Sequence, residues 1–191
     1  MKICVYGASS TEIAKEYVDT VEDFGEKLAN RGHSIVYGGG AKGLMGAAAR
    51  GVRKGKGRVI GVAPSFFNVD GVLFSDCTEM IRTDGMRQRK QVMEDRSDAF
   101  VALPGGVGTF DELFEIMTLR QLGRHNKPIV IFNIKGYYDA FVNMIEVAIK
   151  EKFMIENSRK LFFVSDNAEE ILNYLENYVP TDDFSLLKKV T

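Results

Sequence analysis

The sequence predicts an α/β fold, a doubly wound parallel sheet with helices on both faces. Three observations predict it. Short apolar runs with the make-up of buried strands alternate with longer segments whose apolar residues recur at helical spacing. Two of the strand-to-helix switches are rich in glycine. The chain, 191 residues without internal repeat or low-complexity segment, suits one domain over 1–180 and a tail over 181–191. In such sheets crossovers are right-handed, and ligands bind beyond the carboxyl ends of the strands where strand order reverses.

Taken in order, Lys2 to Tyr6 reads as the first strand and ends in a small polar loop, Gly7-Ala8-Ser9-Ser10-Thr11. A helix to about Asn30 carries Ala14, Val18, Val21, Phe24 and Leu28 on one side, and Gly32 stops it. Ser34 to Tyr37 is a short second strand. It runs through Gly38-Gly39-Gly40-Ala41-Lys42-Gly43 into a helix of small residues that can pack closely. The basic residues Arg50, Arg53, Lys54, Lys56 and Arg58 at its end read as solvated and favourable to a helix C-terminus. Arg58 to Ala63 is a third strand, stopped by Pro64, and a long loop with exposed-looking Phe66 and Phe67 follows. Cys77 to Ile81 reads as another short strand, and a helix opens near Asp84 and ends near Ser97.

Asp98 to Leu103 is a buried strand, and after the turn Pro104-Gly105-Gly106-Val107-Gly108 Leu113, Ile116, Met117, Leu119 and Leu122 mark a helix. Pro128 to Phe132 is the next strand, and Tyr137 to Lys150 the next helix. Leu161 to Val164 is the last strand, and Asp166-Asn167-Ala168-Glu169 reads as a capping box for the last helix. The helix from Asp111 to Leu122 carries Phe114, Ile116, Met117, Leu119 and Leu122, which cover more of its circumference than one sheet-facing stripe needs, and the helix before it offers Met86, Val92 and Met93. Either a second copy of the chain or the chain's own C-terminal helix or tail covers them.

Composition narrows the function. Apolar residues at 45% and charged residues at 27% are ordinary for a globular chain, and a net charge of −1 argues against nucleic acid or an anionic membrane as partner. No apolar run approaches the ~20 residues that span a bilayer. Cys4 and Cys77 sit in apolar stretches without a CxxC pair and read as buried thiols of a cytoplasmic protein.

Pro104-Gly105-Gly106-Val107-Gly108-Thr109-Phe110-Asp111-Glu112 carries the chemistry. Gly105, Gly106 and Gly108 let the backbone approach a ligand, and the free amides and positive dipole end of the next helix suit an anion such as phosphate. Thr109 is placed to cap that helix, with Glu112 completing a capping box in its first turn, where the dipole favours an ionised carboxylate. The competing reading is a tight βα turn and nothing more. Gly38, Gly40 and Gly43 also match the dinucleotide fingerprint, but they follow the second strand, and the next strand ends without a carboxylate for a ribose; Asp70 lies too far along. The ATP-binding pattern GxxxxGK[ST] is missing. A mononucleotide is therefore the better ligand. In Met86-Arg87-Gln88-Arg89-Lys90, Arg87 and Arg89 point to different helix faces, and one of them looks into the crevice.

The pair Pro-Gly-Gly-x-Gly-Thr-x-x-Glu at 104–112 and Met86-Arg87-Gln88-Arg89-Lys90 resembles the signature of the LONELY GUY (LOG) family, cytokinin riboside 5′-monophosphate phosphoribohydrolases often mislabelled lysine decarboxylases. Gly38 to Gly46 and Val59 to Pro64 are similar too, so the resemblance covers roughly 1–175. It implies a Rossmann-like fold, homodimers or larger assemblies of dimers, and hydrolysis of a nucleoside 5′-monophosphate to free base and ribose 5-phosphate. The catalytic pair it implies is Arg89 and Glu112. Substrate-binding candidates are Ser9, Gly39, Gly40, Met86, Lys90, Gly105, Gly106, Val107, Gly108 and Thr109. No cofactor and no metal are expected. Arg87-Gln88 departs from the His-Glu of many plant members. By its chemistry Arg89 orients Glu112, or binds the phosphate or the sugar; being always protonated, it is no general acid. A non-catalytic nucleotide binder or carrier of the same fold is the alternative, and intact Arg89 and Glu112 speak against it.

Overall fold

A computed structural model describes residues 1–67 and 71–180. Asp70 and the tail from 181, with Phe184, Leu186 and Leu187, lie outside the described residues. The strands are β1 (Lys2–Tyr6), β2 (Ser34–Tyr37), β3 (Val59–Pro64), β4 (Glu79–Thr83), β5 (Ala99–Ala102), β6 (Ile129–Phe132) and β7 (Phe163–Ser165). The helices are α1 (Lys15–Asn30), α2 (Gly43–Lys54), α3 (Met86–Asp95), α4 (Val107–Gln121), α5 (Asp139–Lys150) and α6 (Ala168–Glu176). Every strand pairing is parallel, in the order β4-β3-β2-β1-β5-β6-β7. Strand order therefore reverses between β1 and β5, and the loops after these two strands flank the switch point.

The sheet divides the core in two. One face carries α1, α2 and α6, with Phe24, Leu28, Leu44, Val52, Ile171 and Leu172 packed on Ile35, Val101 and Phe132. The other carries α3, α4 and α5, with Met93, Leu113, Ile116 and Ile145 packed on Cys4, Val36, Phe100 and Ile131. The inner strands β1, β2, β3, β5 and β6 are buried on both faces, which is why they read as apolar runs and not as alternating patterns, whereas the edge strands β4 and β7 are only partly buried. No helix among the described residues is long and apolar enough to cross a membrane.

The later part of the long loop between β3 and β4 lies against the glycine turn after β2: Ala41 N–H donates to Val72 O at 2.9 Å, Phe74 N–H to Gly39 O at 2.9 Å, and Gly40 and Leu73 form an antiparallel bridge. Two local expectations change. The last helix is capped by Asn167, whose Oδ1 accepts from Glu169 N–H and Glu170 N–H. Ser165 Oγ accepts from Asn167 N–H and donates to Glu170, in place of a reciprocal box with Glu169. The small residues of α2 pack on a helix as well as on the sheet, because Gly25 of α1 and Gly51 of α2 bring the two backbones together. A Cβ on Gly51 would stand 2.0 Å from Glu22 O, and one on Gly25 2.5 Å from Ala48 O. Basic residues in the last turns of α2 form partly exposed ion pairs, Arg50 with Glu22, Arg53 with Asp76 and Lys54 with Glu26.

That close approach is testable. Gly51→Ala should lose about 2–3 kcal/mol of stability, since the helices must separate to admit a methyl group. Urea unfolding should show a lower midpoint with unchanged slope; a midpoint equal to wild type would mean that the interface yields freely.

Candidate active site

The loops after β1, β2 and β5 meet in one crevice of about 530 Å³ at the carboxyl ends of the strands. Gly7, Ala8 and Ser9 come from the first loop; Gly38, Gly40, Lys42 and Met45 from the second turn and the start of α2. Gly106, Val107, Gly108, Thr109 and Glu112 come from α4 and its entry, and Met86 and Arg89 from α3. Phe67, Val72 and Leu73, of the β3–β4 connection, close one side with apolar surface.

Helix α4 begins earlier than its sequence suggests. Gly106 is the N-cap and no side chain caps it; Phe110 N–H closes the first turn on Gly106 O at 3.0 Å. The amides of residues 106 to 109 are then those without intrahelical acceptors, and all four residues line the crevice. Thr109 is the third residue of the helix, not its cap. It is buried beneath Gly105, where an added Cβ would meet Thr109 Oγ1 at 2.2 Å. Glu112 is consequently the sixth residue, beyond the first turn, and the expected capping box is not formed.

Glu112 and Arg89 are held together below this anion-ready turn. Their side chains are 11% and 7% exposed, and Arg89 Nη1 donates to Glu112 Oε1 at 2.7 Å. Arg89 Nε donates to Val62 O at 3.1 Å, so the guanidinium is anchored to β3 while it holds the carboxylate. Gly38 makes room for it: a Cβ there would lie 1.9 Å from Arg89 Nη2. Burial pushes the Glu112 carboxyl above the usual carboxylate range, with the Arg89 charge and hydrogen bond pulling the other way. This corrects the expectation of a readily ionised group at the helix start, because desolvation outweighs the dipole once the residue lies past the first turn. Beneath the pair on β1, burial drives the Cys4 thiol up to about 12 and the Tyr6 phenol well above its ordinary value, so both stay neutral.

Of the residues singled out in the sequence, Ser9, Gly40, Met86, Arg89, Gly106, Val107, Gly108, Thr109 and Glu112 line the crevice. Three do not. Lys90 turns away to pair with Asp111 at 3.0 Å and Glu115 at 2.8 Å. Gly39 has a left-handed φ of 77° and sits against Leu73, Ala63 and Met80. Gly105 faces a separate apolar hollow beside Tyr137. Arg87 and Gln88 are exposed, and Gln88 Oε1 accepts Asp84 N–H at 2.6 Å at the entry to α3. The arginine that looks inward is Arg89. Lys42, Met45, Val72 and Leu73 were not singled out. Lys42 and Met45 belong to the noticed second glycine turn, whereas Val72 and Leu73 carry no periodic signal.

Comparison with known proteins agrees with this arrangement. The family model described as "Possible lysine decarboxylase" matches residues 45–175. Cytokinin riboside 5′-monophosphate phosphoribohydrolase LOG of Oryza sativa subsp. japonica is 39% identical over 186 residues, which is 97% of this chain and 77% of that protein. LOG2 of Arabidopsis thaliana, of the same name, is 38% identical over 189 residues, covering 99% and 89%. Among solved structures, the molybdenum cofactor carrier protein of Chlamydomonas reinhardtii shares the fold, with a TM-score of 0.69 at 19% identity over 92% of this chain and 95% of that one. With its Rossmann-like strand order and relatives aligned over nearly its whole length, the chain belongs to the LOG family of cytokinin riboside 5′-monophosphate phosphoribohydrolases.

Proposed function

We propose that the protein hydrolyses the N-glycosidic bond of a nucleoside 5′-monophosphate, AMP or an N6-substituted AMP, to free base and ribose 5-phosphate. One observation carries the reading: a buried carboxylate, oriented by a buried arginine, shares a crevice with the free amides at the start of its own helix. At about 1.5 Å of rise per residue, Glu112 lies roughly 5–9 Å along the axis from those amides. That is the scale of a ribose between its phosphate and its glycosidic bond.

The chemistry follows from the placement. The phosphate binds the amides of residues 106–109, helped by the helix dipole. The base lies toward the apolar side formed by Met45, Met86, Phe67, Val72 and Leu73. Cleavage passes through an oxocarbenium-like transition state that favours a nearby carboxylate and an aimed water. A carboxyl raised toward the working pH is a stronger base than an ordinary one, so Glu112 takes the proton of the attacking water and its charge faces the sugar cation. The bonds that Arg89 makes to Glu112 and to Val62 O support an orienting role. A pure carrier would have no use for a desolvated carboxylate beside an anionic ligand, and release of free base from AMP separates the two readings.

We further propose a cytoplasmic homodimer, alone or in a larger assembly of dimers, formed through α3 and α4. Met86 is 45% exposed, Phe114 41% and Leu122 38%. The C-terminal helix α6 buries its apolar residues on the opposite face of the sheet and leaves these uncovered. Two free thiols suit the cytoplasm.

Four outcomes are expected. Glu112→Gln should abolish base release while AMP binding by calorimetry stays near wild type. In the wild type, kcat/KM should rise with pH as Glu112 ionises, with its midpoint above the usual carboxylate range; appreciable turnover by the Gln variant would remove Glu112 from the mechanism. AMP should exceed adenosine in kcat/KM by about a hundredfold or more, the worth of one or two hydrogen bonds to a charged group, and comparable values would sink the phosphate-anchoring reading. Finally, sedimentation should show a dimer whose dissociation costs activity, a fully active monomer being the contrary result.

A further inference from the structure

The turn from β5 into α4 holds its carbonyls with unusual completeness. Leu103 O accepts from Tyr138 Oη at 2.7 Å, Pro104 O from Ala8 N–H at 3.1 Å, and Gly105 O from Tyr137 Oη at 2.6 Å. Both tyrosines lie between a short 3₁₀ turn at Ile134–Gly136 and α5, of which Tyr138 is the N-cap. Tyr138 is buried, and its own backbone is fixed by Asn133, whose Oδ1 accepts Tyr138 N–H at 2.7 Å. Tyr137 is 42% exposed and lines the apolar hollow, which adjoins the crevice at Ala8 and Gly106, without lining the crevice itself. Its hydroxyl therefore reaches the turn from outside the crevice.

The consequence lies in the peptide that joins Gly105 to Gly106. A trans peptide is planar, so its N–H points opposite to its C=O. When Tyr137 holds the Gly105 oxygen on the hollow side, the Gly106 N–H is turned toward the crevice, where Gly106 is the N-cap of α4. This peptide is flanked by glycines on both sides, so side-chain sterics do little to choose between its two orientations. In the flipped orientation a carbonyl oxygen would face the phosphate in place of a donor.

We infer that Tyr137 is a positioning residue for the anion site: its hydroxyl, hydrogen-bonded to Gly105 O, keeps the Gly105–Gly106 peptide in the orientation that presents an amide to the substrate's phosphate. The inference rests on the hydrolase reading only for its activity readout; anion binding reports on the turn without it.

The test uses Tyr137→Phe in the full chain, which removes one half-exposed hydroxyl and keeps the ring. Inorganic phosphate is titrated as a competitor of AMP hydrolysis and, independently, by calorimetry. The inhibition constant for phosphate and the KM for AMP should both rise by about tenfold, the weight of one hydrogen bond, while kcat at saturating AMP changes much less. Turnover of adenosine, which has no phosphate, and the melting temperature should stay at wild-type values. A merely structural tyrosine would not single out the phosphate. Phosphate affinity and KM within about twofold of wild type, or an equal loss with adenosine, would overturn the inference. If the wild type releases no base from any nucleoside monophosphate, the hydrolase reading fails, and calorimetric phosphate binding still decides the role of Tyr137. A wild type that binds neither phosphate nor AMP overturns it.

Discussion

A carboxylate and a guanidinium, both taken out of water, hold each other at the centre of this molecule. Removing either charge from solvent costs several kcal/mol, and their attraction repays that only when the geometry is good and the remaining donors are satisfied. Arg89 meets the condition by donating to Val62 O as well as to Glu112. Much of the surrounding architecture can be understood as accommodation of this pair. Gly38 gives up its side chain so that the guanidinium can pass, β3 offers a backbone oxygen, and α4 runs far enough past its N-terminus to carry Glu112 below the open turn. A hydrophobic pair of similar shape would stabilise the fold at least as well. Stability alone does not account for the charges.

The same helix supports two opposite electrostatic tasks. Its N-terminal amides are uncapped and solvent-facing, suited to hold an anion, whereas one turn further the environment resists a negative charge on Glu112. Separation along a single rigid element keeps the two sites in fixed register. An anion held at the amides would then stand at a fixed distance from Glu112 along the helix.

Much of this was legible in the sequence. Strands buried on both faces announce themselves as apolar runs such as Ile129–Phe132, and glycine turns at strand-to-helix switches mark the crevice. What was illegible depends on contacts between distant segments. Thr109 looks like a cap because hydroxyls usually cap helices, yet Gly106 starts the helix and leaves its amides to a ligand. The raised carboxyl of Glu112 results from burial, which one-dimensional spacing does not report. Lys90 belongs to a basic cluster in sequence, but its helix position aims it at Asp111 and Glu115. Gly38, Gly40 and Gly43 fit a dinucleotide fingerprint by spacing, while their reasons are separate: passage of Arg89, close packing against Met45, and a left-handed φ of 60° beside Ala8 O.

The link between β3 and β4 gives the crevice an uneven construction. Arg89, Glu112 and the turn at the start of α4 stand on the sheet and its helices, whereas Val72 and Leu73 are set in place by a few backbone bonds to the glycine turn after β2. Val72 and Leu73 also lie outside the two core clusters. The apolar wall of the crevice can therefore change shape while the charged wall opposite keeps its geometry.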